Sequence, residues 1–205
     1  MTPSTSAVVA IALFVVFGAI GFGWRSWLHH RRTGSTGFKG ISGRPLSIEW
    51  FAGVGFVAAI VVGVAAPSLQ WAALVEPLPV PNWVPTAGIA IAFAGIAATV
   101  YSQIDMGDSW RIGVDHSEST TLVHRGVFAV VRNPIFTAML VFAFGIMLVT
   151  PNIVAILGFT LLLAAIELQV RAVEEPYLRN VHGAAYREYL ANVGRFVPRI
   201  GTTIR

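Results

Sequence analysis

The chain has 205 residues, of which 55% are hydrophobic and 12% charged, with a formal charge of +4. Such proportions, with a mean hydropathy of +0.70, exclude an ordinary soluble globule. The absence of cysteine excludes disulfides, thiolate metal sites, cysteine-ligated iron–sulfur clusters and cysteine nucleophiles.

Long uncharged stretches organise the chain: Thr2 to Trp24, Phe51 to Val75, Pro77 to Ile104, and Asn133 to Ile166. Each of the first three holds a membrane helix of about 20 residues. The fourth, with 34 residues, is too long for one span, and Thr150-Pro151-Asn152 at its middle supplies a turn. It reads as a tight helical hairpin whose ends draw Arg132 and Glu167 toward membrane depth. The fold class expected is therefore all-α: a polytopic membrane protein of about five spans, near 5–25, 48–67, 84–104, 131–149 and 152–172. A C-terminal amphipathic helix follows them. The whole of 1–205 reads as one membrane-embedded domain. Within it, 1–104 forms a three-helix scaffold and 105–205 carries the hairpin, a loop and the C-terminal helix. The first span lacks basic residues before its apolar core, so it reads as a retained helix rather than a signal peptide.

All 14 Lys and Arg residues fall in the loop 26–46, the loop 105–130, the C-terminal tail or at their boundaries, while the opposite side carries Glu76 and no basic residue. By the positive-inside rule the N-terminus is expected outside and the C-terminus in the cytoplasm, as in a bacterial inner membrane. The net positive charge then calls for no nucleic acid, because membrane orientation and anionic headgroups account for it.

Spans one to three carry glycines (Gly53, Gly55, Gly63, Gly88, Gly95) that read as close helix packing. The segment 33–46 is rich in Gly and Ser and reads as a flexible loop. It lacks the strand–loop–helix setting of a phosphate cradle. Trp71 and Trp83 suit an interfacial belt. His29 and His30, followed by Arg31 and Arg32, read as a solvated basic patch, and no metal site is expected. The loop 105–130 mixes charge with Trp110, Leu122, Val123 and Phe128, which suits a folded lid over the membrane face.

The chemistry concentrates from Arg132 to Tyr189. Residues 167, 171, 174/175, 178, 182, 186 and 189 recur in steps of three and four, which places them on one helical face. Pro176 is expected to bend that stripe as it leaves the membrane. Ion pairs at i,i+4 spacing, Glu167–Arg171 and Arg171–Glu175, give the stripe a purely structural reading. They leave unexplained why adjacent carboxylates emerge beside an Arg from an apolar span, and ionisable groups there mark a site.

Leu122-Val123, Gly126, Phe128 and Val131-Arg132-Asn133-Pro134-Ile135-Phe136 resemble the isoprenylcysteine carboxyl methyltransferase family and the related phospholipid methyltransferases. So do Glu174-Glu175, Leu178, His182-Gly183, Tyr186 and Tyr189, followed by Val197-Pro198. The resemblance covers roughly 105–200. It departs from the family pattern at Asn133, where His is frequent, at Phe136, where Tyr is frequent, and at His182, where Phe is frequent. Asn133 can bind a cofactor but accepts no proton.

The resemblance implies an integral membrane methyltransferase dependent on S-adenosylmethionine, with S-adenosylhomocysteine as product. It places the cofactor against Leu122, Val123, Gly126, Phe128, Arg132, Asn133, Phe136, His182, Tyr186 and Tyr189. An Arg fork suits the cofactor's carboxylate, and a carboxylate suits its ammonium. Arg171, Glu174 and Glu175 are the candidates for orienting the acceptor beside the methyl group, where alignment does most of the work. The acceptor expected is a small lipophilic molecule entering from the membrane, a carboxylate, phenol, amine or prenyl-like compound. Membrane lipids are partners, and no obligatory protein partner is inferred. The competing readings are a sterol- or steroid-type reductase using NADPH and a non-enzymatic transporter or assembly subunit. The latter would be expected to show repeated halves with broken helices.

Overall fold

The structure is a computed structural model that describes residues 1–38, 40–110 and 121–202, the side chain of Asp108 excepted. It is all-α: isolated bridges join Val131 with Gly194 and Val197 with Ile200. Helix α1 (Pro3–Phe17) passes through a π-helical segment, Gly18–Trp24, into α2 (Arg25–Thr33). Thr2 caps its start through a bond from the Thr5 amide, and Pro3 stands in the first turn, where no N–H is needed. Helix α3 (Ile48–Trp71) is capped by Ser47 and carries Glu49 in its first turn. Helix α4 (Trp83–Met106) ends at Gly107, and a single 3₁₀ turn, Gly107–Ser109, follows. A second 3₁₀ turn, Gly126–Ala129, precedes α5 (Pro134–Val149) and α6 (Ile153–Leu168). Helix α6 continues through another π-helical segment, Gln169–Glu174, into α7 (Glu175–Asn192).

Four helical stretches are long and apolar enough to cross a membrane: Pro3–Thr33, Ile48–Trp71, Trp83–Met106 and Ile153–Asn192. The shorter apolar helix α5 rises about 24 Å at 1.5 Å per residue, and it completes the polytopic arrangement of five expected from the sequence. The helices extend past the apolar runs. Helix α3 continues past Pro67, and the first helical stretch continues to Thr33.

Helices α4 and α5 touch along glycines. A Cβ at Gly145 would sit 2.5 Å from the Ala92 amide nitrogen, one at Gly88 would sit 2.7 Å from the Gly145 carbonyl, and one at Gly95 would fall on the Phe142 backbone. Phe17 of α1 stacks on Phe142 at 4.1 Å between ring centroids, and Ala10, Leu13, Ile96, Met139 and Ile146 fill the same core. Close backbone approach of this kind holds helices together in lipid, where burial of apolar surface gives no drive.

At the end of the bundle away from the arginines, Asn152 caps α6 and donates to Gln70 Oε1 at 3.0 Å, and Gln70 Nε2 donates to the Pro3 carbonyl at 3.0 Å. Asn152 and Gln70 are buried, so this knot ties α1, α3 and the hairpin turn together. Trp71 and Trp83 are exposed nearby, as an interfacial belt requires.

One expectation is corrected here. Pro176 does not break the last helix. It falls in the first turn of α7, directly after the π-helical segment, and the helix continues through it. The break lies at Gly183, whose φ of 53° and ψ of −119° are not helical and are reached without strain only by glycine. The face predicted from steps of three and four is therefore not continuous.

Candidate active site

At the arginine-rich end, a buried ion cluster clamps the start of α5 to α7 and the C-terminal tail. Arg132 is 5% exposed, and its Nη2 donates to Glu175 Oε1 at 2.9 Å and to the Gly201 carbonyl at 3.0 Å. Its Nη1 donates to the Leu190 and Val193 carbonyls. Arg195 forks onto the same carboxylate, Nε to Oε1 at 2.7 Å and Nη2 to Oε2 at 3.0 Å. Arg179 stands 3.7 Å from Oε2. Burial would raise the Glu175 pKa, but the hydrogen bonds from Arg195 and Arg132 outweigh it and hold the carboxyl below its ordinary value. Glu175 lies three residues beyond the expected end of the last span, 152–172. The main chain completes the clamp. The amides of Arg132 and Asn133 donate to the carbonyls of Gly194 and Arg195 at 2.8 and 3.1 Å, and Thr137 Oγ1 donates to the Phe196 carbonyl at 2.9 Å.

Beside this clamp lies a cavity of about 680 Å³, within the range of small-molecule and cofactor sites. Leu122, Val123, Phe128, Arg132, Asn133, Phe136, Tyr186 and Tyr189 line it, as does Glu174. The structure thus brings together eight of the ten cofactor candidates and one of the three acceptor-orienting candidates. Gly126 stays behind the wall. Its φ is +58°, and a Cβ there would strike the Asp105 carboxylate, which accepts from the Val127 amide at 2.7 Å. Gly126 therefore shapes the loop that presents Leu122 to Phe128. His182 does not line the cavity. Glu175 faces the arginine clamp, and Arg171, whose side chain is 59% exposed, pairs with Glu167 instead of reaching the cavity. Among the described residues Arg132 is the cation that lines it, and both Nη atoms of its fork are occupied, which leaves Nε buried without a partner. Tyr189 donates its hydroxyl to the Phe128 carbonyl, fastening α7 to the 3₁₀ turn.

Other walls went unseen in the sequence. Ile41 and Ser42 line the cavity, so the Gly/Ser-rich segment forms part of its wall. A Cβ at Gly53 would meet Ile41 at 2.7 Å, which makes that glycine a seat for the segment. Trp110 lines the cavity with the Arg25 guanidinium 5.0 Å from its ring centroid and His29 edge-on at 5.6 Å. Trp110 and Thr121 give the expected lid its wall contacts, while 111–120 lies outside the described residues. Both π-helical segments reach the cavity, one through Phe22 and Gly23 and the other through Gln169 and Glu174. Such segments arise where a helix is adapted to a functional site, and no residue pattern announced them. No His, Asp or Glu cluster able to hold a metal is present among the described residues.

The family model of phospholipid methyltransferases matches residues 83–185, half of the chain. The chain belongs to that family. The matched region of this membrane methyltransferase takes in α4, the cavity-lining loop, the helical hairpin and the first half of α7. In overall fold the methyltransferase is similar to the eukaryotic intramembrane Ras methyltransferase, isoprenylcysteine carboxyl methyltransferase. The TM-score is 0.66 at 18% identity, over all of this chain and 70% of that one. No curated protein matches.

Proposed function

We propose that the protein transfers a methyl group from S-adenosylmethionine to a small lipophilic acceptor that enters sideways from the bilayer. One observation carries this reading: the cavity joins a polar end to an opening among membrane-spanning helices. Arg132, Asn133 and Glu174 line the polar end. Val57 and Ile60 line the other, and they remain 50% and 41% exposed on α3, so the wall between them gives onto lipid. The arginine-rich end is the cytoplasmic one in this reading, in keeping with the positive-inside rule.

The residues present fit the cofactor. Arg132 Nε is a buried donor without a partner among the described residues, suited to the cofactor's carboxylate. Phe128 and Tyr186 offer rings to the adenine, and the backbone from Leu122 to Phe128 offers main-chain groups. When bound, the cofactor supplies a methyl carbon activated by its sulfonium, so the protein's work is alignment and exclusion of water. Glu174 is the carboxylate that orients the acceptor. Glu175 acts one step back, by holding Arg132 in place. Arg171 has no part in this arrangement.

Calorimetric titration of the purified protein in detergent tests the cofactor. Saturable binding of S-adenosylhomocysteine and no response to NADPH is the expected result. Saturation by NADPH with silence toward S-adenosylhomocysteine would move the protein to the reductases.

A further inference from the structure

Gln103 lies outside every motif read from the sequence, yet it is 1% exposed and lines the cavity. Its Nε2 donates to the Gly21 carbonyl at 2.8 Å, and its Oε1 is buried without a partner among the described residues. The amide cannot be turned over, because a carbonyl only accepts and must meet the NH₂ side. A buried acceptor left open beside a cavity calls for a donor from whatever fills that cavity.

The place of Gln103 in the bundle narrows the choice of donor. Where α4 packs on α5, Gly95 lies against Phe142 and Gly88 against Gly145 and Val149. Followed toward the arginine-rich end, this register brings Gln103 level with Pro134, at the polar end of the cavity. From that level Arg132 reaches toward α7 and the tail, where it binds the Leu190 and Val193 carbonyls. Gln103 reaches instead toward the π-helical segment that contains Gly21. The two side chains therefore serve different walls at one depth. Two residues past Gln103, the Asp105 carboxylate accepts from the Val127 amide at 2.7 Å, which ties the 3₁₀ turn carrying Phe128 to the end of α4.

We propose that Gln103 selects the cofactor's base: its Oε1 accepts a hydrogen bond from the exocyclic amine of adenine. The inference rests on the methyltransferase reading and deepens it. Amino acid and base are the two ends of that cofactor. With the carboxylate on Arg132, a base laid against Phe128 turns its amine edge toward the wall that Gln103 serves. Ser26 and Ser109 also line the cavity, and a hydroxyl can donate to the neighbouring ring nitrogen. A fixed acceptor facing the amine position rejects a base that carries a carbonyl there, because two buried oxygens then meet without a proton between them.

Calorimetric titration of the detergent-solubilised protein tests this with three ligands. They are S-adenosylhomocysteine, S-inosylhomocysteine, whose base has a carbonyl in place of the amine, and the 2′-deoxy form of S-adenosylhomocysteine, which keeps the amine. The parent should bind the inosine form about ten- to a hundredfold more weakly than S-adenosylhomocysteine, the cost of an unmet buried acceptor. It should bind the 2′-deoxy form nearly as well as S-adenosylhomocysteine. Gln103→Met keeps the side-chain length without the amide, and it should bind the two bases alike. That ratio is read within one protein, so a general loss of affinity from the missing Gly21 bond cancels. A parent indifferent to the base, a Gln103→Met variant that still discriminates, or a loss confined to the 2′-deoxy form would overturn the proposal. The parent's ratio needs no variant, so the proposal can fail even where Gln103→Met does not fold. Silence toward all three ligands is a separate outcome, and it overturns the methyltransferase reading together with the proposal.

Discussion

The two ends of the same helix bundle follow opposite rules. Toward the Asn152 end, helices α4 and α5 meet backbone to backbone through Gly88, Gly95 and Gly145, and no titratable group enters the contact. Toward the arginine-rich end, two helices loosen into π turns, a cavity opens, and a buried carboxylate is shared among arginines. The first region is held by shape, the second by charge. The difference teaches that tight packing in one half is what allows the other half to keep an open, polar pocket at a membrane boundary.

That contrast can be broken at its strongest point by Glu175→Ala. Removing the carboxylate leaves Arg132 and Arg195 uncompensated, and the loss of a buried partner costs about 3–5 kcal/mol. A melting temperature within a degree or two of the parent would show that the clamp is not what holds α7. The same group gives a pH signature. Its folded-state pKa lies below the ordinary carboxylate value, so its stabilisation is present at neutral pH and is lost as pH falls through the folded value. Acid melting curves of the parent should carry this loss, and those of Glu175→Ala should lack it.

A pair of glycines sharpens the packing side. Gly95→Ala places a methyl on the Phe142 backbone and should destabilise by about 1–3 kcal/mol. A Cβ at Gly18 meets nothing within 4 Å, so Gly18→Ala should be neutral or gain up to about 1 kcal/mol from helix propensity. Equal melting shifts for the two would refute the close-approach account. The smallest effect is expected from Arg171→Ala. Its pair with Glu167 is largely exposed, and such pairs contribute about 0–1 kcal/mol. Methyl transfer by this variant at the parental rate is the expected outcome, and a large drop would return Arg171 to the acceptor site.

Much of this was legible before any coordinates. The uncharged runs dictated the helices because lipid tolerates little else. The placement of every Lys and Arg on one side supplied an expected orientation, and Arg132-Asn133-Pro134 with Glu174-Glu175 pointed to the family. What periodicity could not resolve was which acidic residue faces the pocket. Regular 3.6-residue spacing puts Glu167, Arg171 and Glu175 on one stripe, and it leaves Gln169 off that stripe.

The sequence by itself determined that this chain lives in a membrane, folds as helices and gathers its ionisable groups at one end, since hydropathy and charge are local properties. Only the tertiary structure decided that Glu174 and Gln169 reach the cavity, that Glu175 binds arginines, and that Arg171 faces away. The reason is rotational. A π turn and the positive φ of Gly183 shift the azimuth of every residue beyond them, and such shifts follow from how the helix packs on its neighbours, not from the order of its side chains.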